Sequence, residues 1–175
     1  HGRIFKIQLD SLIPLLIFSQ VLVSQLVYPL MGGYIKSIDS YAEDGMLWLR
    51  DNTPLQSVVM VPPEDHGWAF DPVNEWLPAL SSRYSYLTVQ GYEWKQGYFK
   101  ARIENYENLR DCMNSIERSV CFKTWILANE DSFDYLLIPK PGPSVFTINS
   151  DQFVWLQKRY TLLYENEGFS IFHVH

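Results

Sequence analysis

The stretch "LIPLLIFSQVLVSQLVYPLM", Leu12 to Met31, constrains this chain more than any other. No charged residue occurs between Asp10 and Lys36. Rising about 1.5 Å per residue, such a helix reaches about 30 Å, the thickness of a bilayer's hydrocarbon core. Tyr28 and Tyr34 fall where an aromatic belt would lie. Pro14 sits in the first turn, where a missing N–H is tolerated, and Pro29 near the end. The segment reads as a transmembrane helix. Two other readings stay open. A secretory signal would need a small-residue cleavage site, and "VYPLMGGY" is a poor one. A buried helix of a folded domain is compatible with Ser19, Gln20, Ser24 and Gln25, although a core helix of this length seldom lacks charge altogether. An amphipathic surface helix would need a charged face, which is absent.

In lipid, polar residues such as these four prefer to face another helix, so a spanning segment would pack in a bundle. The chain begins with His. The expectation is a C-terminal piece of a longer membrane protein, with the bilayer and other transmembrane helices as partners. Arg3 and Lys6 precede the helix, whereas Lys36 is followed closely by Asp39, Glu43 and Asp44. The positive-inside rule then puts the N-terminal flank in the cytoplasm. Residues 1–35 are thus expected to form the last transmembrane helix with a short cytoplasmic flank. Residues 36–175 are expected to form an extracytoplasmic soluble α/β domain at the cell membrane.

Composition narrows the partners. The chain has 175 residues, 47% hydrophobic and 15% aromatic, which suits a domain with a real core and excludes disorder. Twenty acids against 14 bases give a net charge of −6, and there is no Lys/Arg-rich run. That excludes a nucleic-acid binder, which needs a basic stripe to neutralise phosphates. The overall acidity also argues against peripheral docking on anionic lipids. The two cysteines lie in "CMNSIERSVC" as Cys112 and Cys121. An oxidising compartment would let them pair across a short loop. The alternative is two buried free thiols. Their spacing does not suit zinc.

Local patterns give the elements. "SIDSYAEDGMLWLRDNTP" reads as a helix capped by Ser40 or Asp39 and stopped by Pro54. "SVVMV" (57–61), "YSYLTV" (84–89) and "FDYLLIPK" (133–140) read as strands. One helical turn is expected over 74–80. "QGYEWKQGYF" and "PGPSVFTINS" read as loops. Residues 101–130 read as two helices broken near Asn114 and Ser115. Ser150 caps a helix over 151–159, and "TLLYEN" and "FSIFHV" close the chain as a hairpin. The alternation predicts an α/β fold, a small mixed sheet with flanking helices.

No nucleophile elbow, P-loop or dinucleotide fingerprint is present, and His66 is the one histidine away from the chain ends. Glu64, Asp65, His66, Asp71 and Glu75 place five potential ligands within twelve residues. Their chemistry would suit Mn²⁺, Mg²⁺ or Ca²⁺, but the spacing matches no standard loop. No cofactor is therefore expected in this fragment, and a divalent metal rests on ligand type alone. A binding cleft is the third possibility. Asp65, His66, Trp68, Glu75, Trp76, Arg83, Glu93 and Trp94 are the candidate substrate-binding residues, with Phe70, Gln90 and Tyr92 close by. Aromatic faces fix position and polar groups fix orientation, as a saccharide or peptide requires. The same residues would also serve as a packed corner, with Arg83 paired to an acid.

The order of these segments resembles a known pattern. A final membrane helix is followed by "WLRDNTPLQSVVMV", an aromatic, glycine-containing loop, and "WLPALSSRYSYLTVQGYEW". This is similar to the C-terminal extracytoplasmic region of prokaryotic multi-spanning proteins related to the GT-C glycosyltransferases, over residues 12–95. The resemblance implies a membrane enzyme that transfers sugar from a polyprenyl-phosphate donor. Its catalytic acid would lie upstream, so the fragment alone is expected to be inactive. More distantly, "EDHGW" occupies the place of the W-W-D-Y-G motif of oligosaccharyltransferase catalytic subunits, with Asp65 and Gly67 matching. The paired tryptophans before the Asp are absent, so acceptor-peptide binding is not carried over. The alternative function is a non-catalytic, membrane-anchored extracytoplasmic binding or interaction module.

Overall fold

The segment "YLLIP", Tyr135–Pro139, is apolar at every position, and its first four residues are buried. A strand that reads this way has both faces covered. The computed structural model bears this out. It describes residues 9–31, 38–63, 67–140 and 148–174, with side chains over 13–25 in the first stretch. The chain divides into two compact units, His1–Lys36 and Ser37–His175.

The first unit contains α1, Leu9–Met31. Every described side chain from Ile13 to Gln25 is exposed. Among the described residues no helix is long and apolar enough to cross a membrane. The transmembrane helix expected over 12–31 is therefore not met by the described stretch. The described side chains here are the thirteen from Ile13 to Gln25. Ser19, Gln20, Ser24 and Gln25 are four of them.

The second unit is an α/β layered fold. Its elements are α2 (Ser40–Asn52), β1 (Val58–Met60), α3 (Pro72–Ser81), β2 (Tyr84–Ser85), α4 (Tyr98–Asn114), α5 (Arg118–Asn129), β3 (Tyr135–Pro139), α6 (Ser150–Arg159), β4 (Thr161–Glu165) and β5 (Phe169–His173). The sheet order is β2-β1-β3-β5-β4. Strands β2, β1 and β3 run parallel, with Val58 opposite Tyr84 and Val59 opposite Tyr135. Strand β5 runs antiparallel to both β3 and β4, so the sheet is mixed as expected.

Side-chain alternation builds two cores from one sheet. Val59, Tyr135, Leu137, Phe169 and Ile171 face α2 and α3, with Met46, Leu49 and Leu77. Met60, Leu136, Ile138 and Phe172 face α4, α5 and α6, with Leu109, Phe122, Ile126 and Leu156. The layers are thus helix, sheet, helix. A Cβ added to Gly45 of α2 would lie 3.0 Å from Leu137 Cδ1, so this helix approaches β3 closely.

The caps follow from sequence. Asp39 accepts from the Tyr41 N–H at 3.1 Å and starts α2. Helix α6 is capped by Asn149, not by Ser150 as the sequence suggested. Asn149 accepts from the Gln152 N–H, and the Gln152 side chain accepts from the Asn149 N–H, a reciprocal pair that satisfies two orphan donors. The hairpin turns at Asn166, whose side chain accepts from the N–H groups of Gly168 and Phe169.

Two elements differ from the sequence reading. Helix α3 has ten residues rather than one turn. Asp71 caps it and Pro72 occupies its first turn, where no N–H is needed. Pro78 lies inside it and leaves the Asn74 carbonyl without its helical donor. The Thr88 hydroxyl donates to that carbonyl instead. Strand β2 is shorter than the expected 84–89. Leu87 and Val89 are buried. However, Arg102 takes the carbonyls of Ser85, Tyr86 and Thr88 that a strand would offer to a neighbour.

Candidate functional site

Helix α3 follows β1 onto one face of the sheet, and α6 follows β3 onto the other. The chain therefore diverges at the carboxyl ends of two adjacent parallel strands. In open α/β sheets this is where ligands bind. Asp65 and His66 belong to the segment that leaves β1 there, and they lie outside the described residues, as does Glu64. The first described residue after them, Gly67, has φ 77° and ψ 162°, a conformation essentially confined to glycine. A Cβ there would also lie 3.1 Å from Arg110 Nη1. The path of this loop is thus tightly specified where it rejoins the fold.

Just beyond it is a buried polar cluster. Asp71 accepts from the Asn74 N–H at 2.9 Å, Asn74 Nδ2 at 2.8 Å and the Tyr106 hydroxyl at 2.8 Å. These bonds tie the start of α3 to α4. Of the possible metal ligands, Asp71 is buried in this cluster and Glu75 is exposed on α3. Among the described residues no group of His, Cys, Asp and Glu is placed to hold a metal ion.

The remaining candidates do not form one cleft. Trp68 is half-buried against Phe99, edge to face at 5.7 Å, and its carbonyl accepts from Gln90 Nε2. Trp76 and Glu75 project from the outer side of α3. Glu93 and Trp94 lie on the 90–97 loop, where Trp94 is 94% exposed.

Arg83 differs most from expectation. It is buried and pairs with no acid among the described residues. Its Nε donates to Thr53 Oγ1, Nη1 to the carbonyls of Ser81 and Ser82, and Nη2 to those of Arg50 and Thr53. All five guanidinium N–H groups are thereby engaged. They cap the C-termini of α2 and α3 together, where a cation also meets the negative ends of the helix dipoles.

A depression of about 260 Å³ lies beside the edge strand β2. Arg83, Tyr84, Ser85, Gln90, Tyr92 and Lys95 contribute to its lining. Arg102 Cζ stands 4.3 Å from the centroid of the Tyr92 ring, and Lys95 Nζ 5.1 Å from it. The Tyr92 hydroxyl lies 3.3 Å from Arg102 Nη2. Gln90, Tyr92 and Arg83 were legible as candidates from their clustering. Tyr84, Lys95 and Arg102 were not. Tyr84 and Lys95 come to the depression from a strand end and a turn, and Arg102 reaches Tyr92 from α4, which no local spacing reveals.

The Cys112–Cys121 disulfide is formed, joining the end of α4 to the first turns of α5 with Cα atoms 5.3 Å apart. No known protein family, curated protein or solved structure matches the chain.

Proposed function

We propose that the chain is the C-terminal extracytoplasmic region of a GT-C-like membrane glycosyltransferase using a polyprenyl-phosphate-sugar donor. In this reading α1 lies in the bilayer and residues 37–175 assist recognition of acceptor or donor. The observation that carries it is α1 itself. Ile13, Leu15, Leu16, Ile17, Phe18, Val21, Leu22 and Val23 are each 44–66% exposed, all round the helix. Apolar side chains exposed all round a helix call for an apolar environment, and the four polar ones among them for a neighbouring helix. Its backbone covers 23 residues, about 35 Å. The disulfide adds support, since such bonds persist in oxidising compartments. The "WLRDNTP" and "LPALSSR" segments support the family. The catalytic acid belongs upstream of this fragment, and the depression beside β2 is the part of this domain suited to a small polar ligand.

Two measurements on the full-length protein test this. Membranes carrying it are washed with alkaline carbonate, and a reporter fused after residue 175 reads its compartment. Retention with an extracytoplasmic reporter supports the reading; release into the wash refutes it. Removing residues 37–175 should then abolish sugar transfer from the polyprenyl donor while leaving insertion intact. Unchanged transfer would favour the second reading, a membrane-anchored binding module without catalysis. The depression favours that second reading, because it offers aromatic faces and hydrogen-bonding groups with no acid among its lining residues.

A further inference from the structure

The chain carries a net charge of −6. Against that background, the depression beside β2 is locally cationic. Arg83 and Lys95 line it, and no carboxylate does among the described residues. Arg102 lies against the ring of Tyr92, one of its walls. None of these three cations forms an ion pair among the described residues. Arg83 is only 5% exposed, and its hydrogen bonds run to neutral carbonyls and one hydroxyl. Those dipoles satisfy its N–H groups but leave its net charge. The Asp51 carboxyl, which feels the Arg83 charge, is paired with Arg50 at 2.9 Å and does not line the depression. The charge of Arg83 is met by the carbonyl ends of two helices and not by a carboxylate of the depression. Two cations lining one small concavity without a carboxylate, with a third against the ring of one of its walls, therefore favour anions there.

We infer that this depression is an oxyanion-binding subsite. It takes a phosphate or carboxylate carried on a small polar body, or presented by a lipid headgroup. Lys95 Nζ is the direct cationic contact, since the donors of Arg83 are all engaged. Gly91, with φ 84°, turns the backbone at the rim, and its N–H makes no hydrogen bond among the described residues. An N–H left free in a turn of this kind suits an anion. Tyr84 and Tyr92 supply flat faces for the body of the ligand. Arg83 and Arg102 act as fixed charge. The inference stands on this geometry and is independent of the glycosyltransferase reading.

The test uses the whole chain, 15N-labelled, in phosphatidylcholine bicelles. Amide spectra are followed while inorganic phosphate, glucuronate, glucose or sodium chloride at matched ionic strength is added. Saturable shifts centred on Gly91, Tyr92 and Lys95 are expected with phosphate or glucuronate and not with glucose or chloride. Lys95→Ala should weaken this response about tenfold, the loss of one charge-assisted hydrogen bond. Lys95→Arg should retain most of it, and both variants should keep the dispersed spectrum of the fold. Replacing part of the phosphatidylcholine with phosphatidylglycerol separates the sources. Shifts at the same amides with phosphatidylglycerol alone assign the oxyanion to a lipid headgroup. Equal responses to glucose or chloride, no response to any oxyanion, or binding unaffected by Lys95→Ala would each overturn the inference.

Discussion

Arg83 encloses Thr53: its Nε donates to the Thr53 hydroxyl at 2.9 Å and its Nη2 to the Thr53 carbonyl at 2.5 Å. One side chain just before β2 thereby holds the end of a helix thirty residues earlier. Removing it leaves carbonyls at two helix ends without donors. Arg83→Met is expected to destabilise the fold by about 3 kcal/mol. Arg83→Lys should recover only part of this, because an ammonium cannot reproduce the planar fork. Urea unfolding of the chain measures both. A loss below about 0.5 kcal/mol for Arg83→Met would contradict the assigned role.

Thr88 and Pro78 should be coupled. Thr88→Val orphans the Asn74 carbonyl and is expected to cost about 1–2 kcal/mol. In a Pro78→Ala background the helix regains an N–H for that carbonyl, so the same substitution should cost markedly less. A double-mutant cycle reads the difference. Additive effects would show that the hydroxyl does not replace the missing helical bond.

Gly67→Ala places a side chain in a glycine-only conformation and against Arg110. A loss of about 1–3 kcal/mol is expected, measured by thermal unfolding. Wild-type stability in this variant would mean that the loop rejoins the fold by another path.

The disulfide closes a short loop between two core helices. Replacing both Cys112 and Cys121 with Ser should cost about 3 kcal/mol on chain-entropy grounds. Mass spectrometry with and without reduction before alkylation checks the bond itself. Free thiols in the unreduced protein would disprove the pairing.

Tyr160 gives a pH signature. Burial pushes its hydroxyl up to about 12, helped by the hydrogen bond to Glu130 and opposed by Arg159. The folded state thus keeps a proton that the unfolded chain releases near 10.0. The stabilisation is complete below pH 10, and it is lost as pH rises through about 12. Ultraviolet titration should show a tyrosinate forming at about 12 that is absent in Tyr160→Phe, while Tyr41, raised by its hydrogen bond to Glu167, stays in both proteins. If that variant keeps the late inflection, another tyrosine carries it.

Much of the layered core is legible in the sequence because strands buried on both faces have few apolar alternatives. "SVVMV", "FDYLLIPK" and the last strand, "FSIFHV", announce themselves in this way, and the break near Asn114 and Ser115 is marked by polar residues. Strand β2 misleads for a definite reason. Leu87 and Val89 alternate like a strand, but their burial comes from a loop held by Arg102. Helix α3 is under-read because its interior proline is rescued from outside, by Thr88. The candidate site is legible only in part. Its aromatic residues cluster in sequence, yet Arg83 turns inward to cap two helices, and Tyr84, Lys95 and Arg102 converge from separate elements. Such convergence depends on chain path, which pairwise spacing does not encode.

The divergence after β1 and β3 has an evolutionary consequence. One segment leads to α3 on one face of the sheet and the other to α6 on the opposite face. The strands that launch them are locked by buried side chains on both sides. Within the connections between 61 and 71 and between 140 and 149, Gly67 is held by its backbone conformation and Trp68 and Ile148 by packing on a core, so changes that spare these three leave both cores intact. A lineage can retune what this end of the domain touches while inheriting the same scaffold.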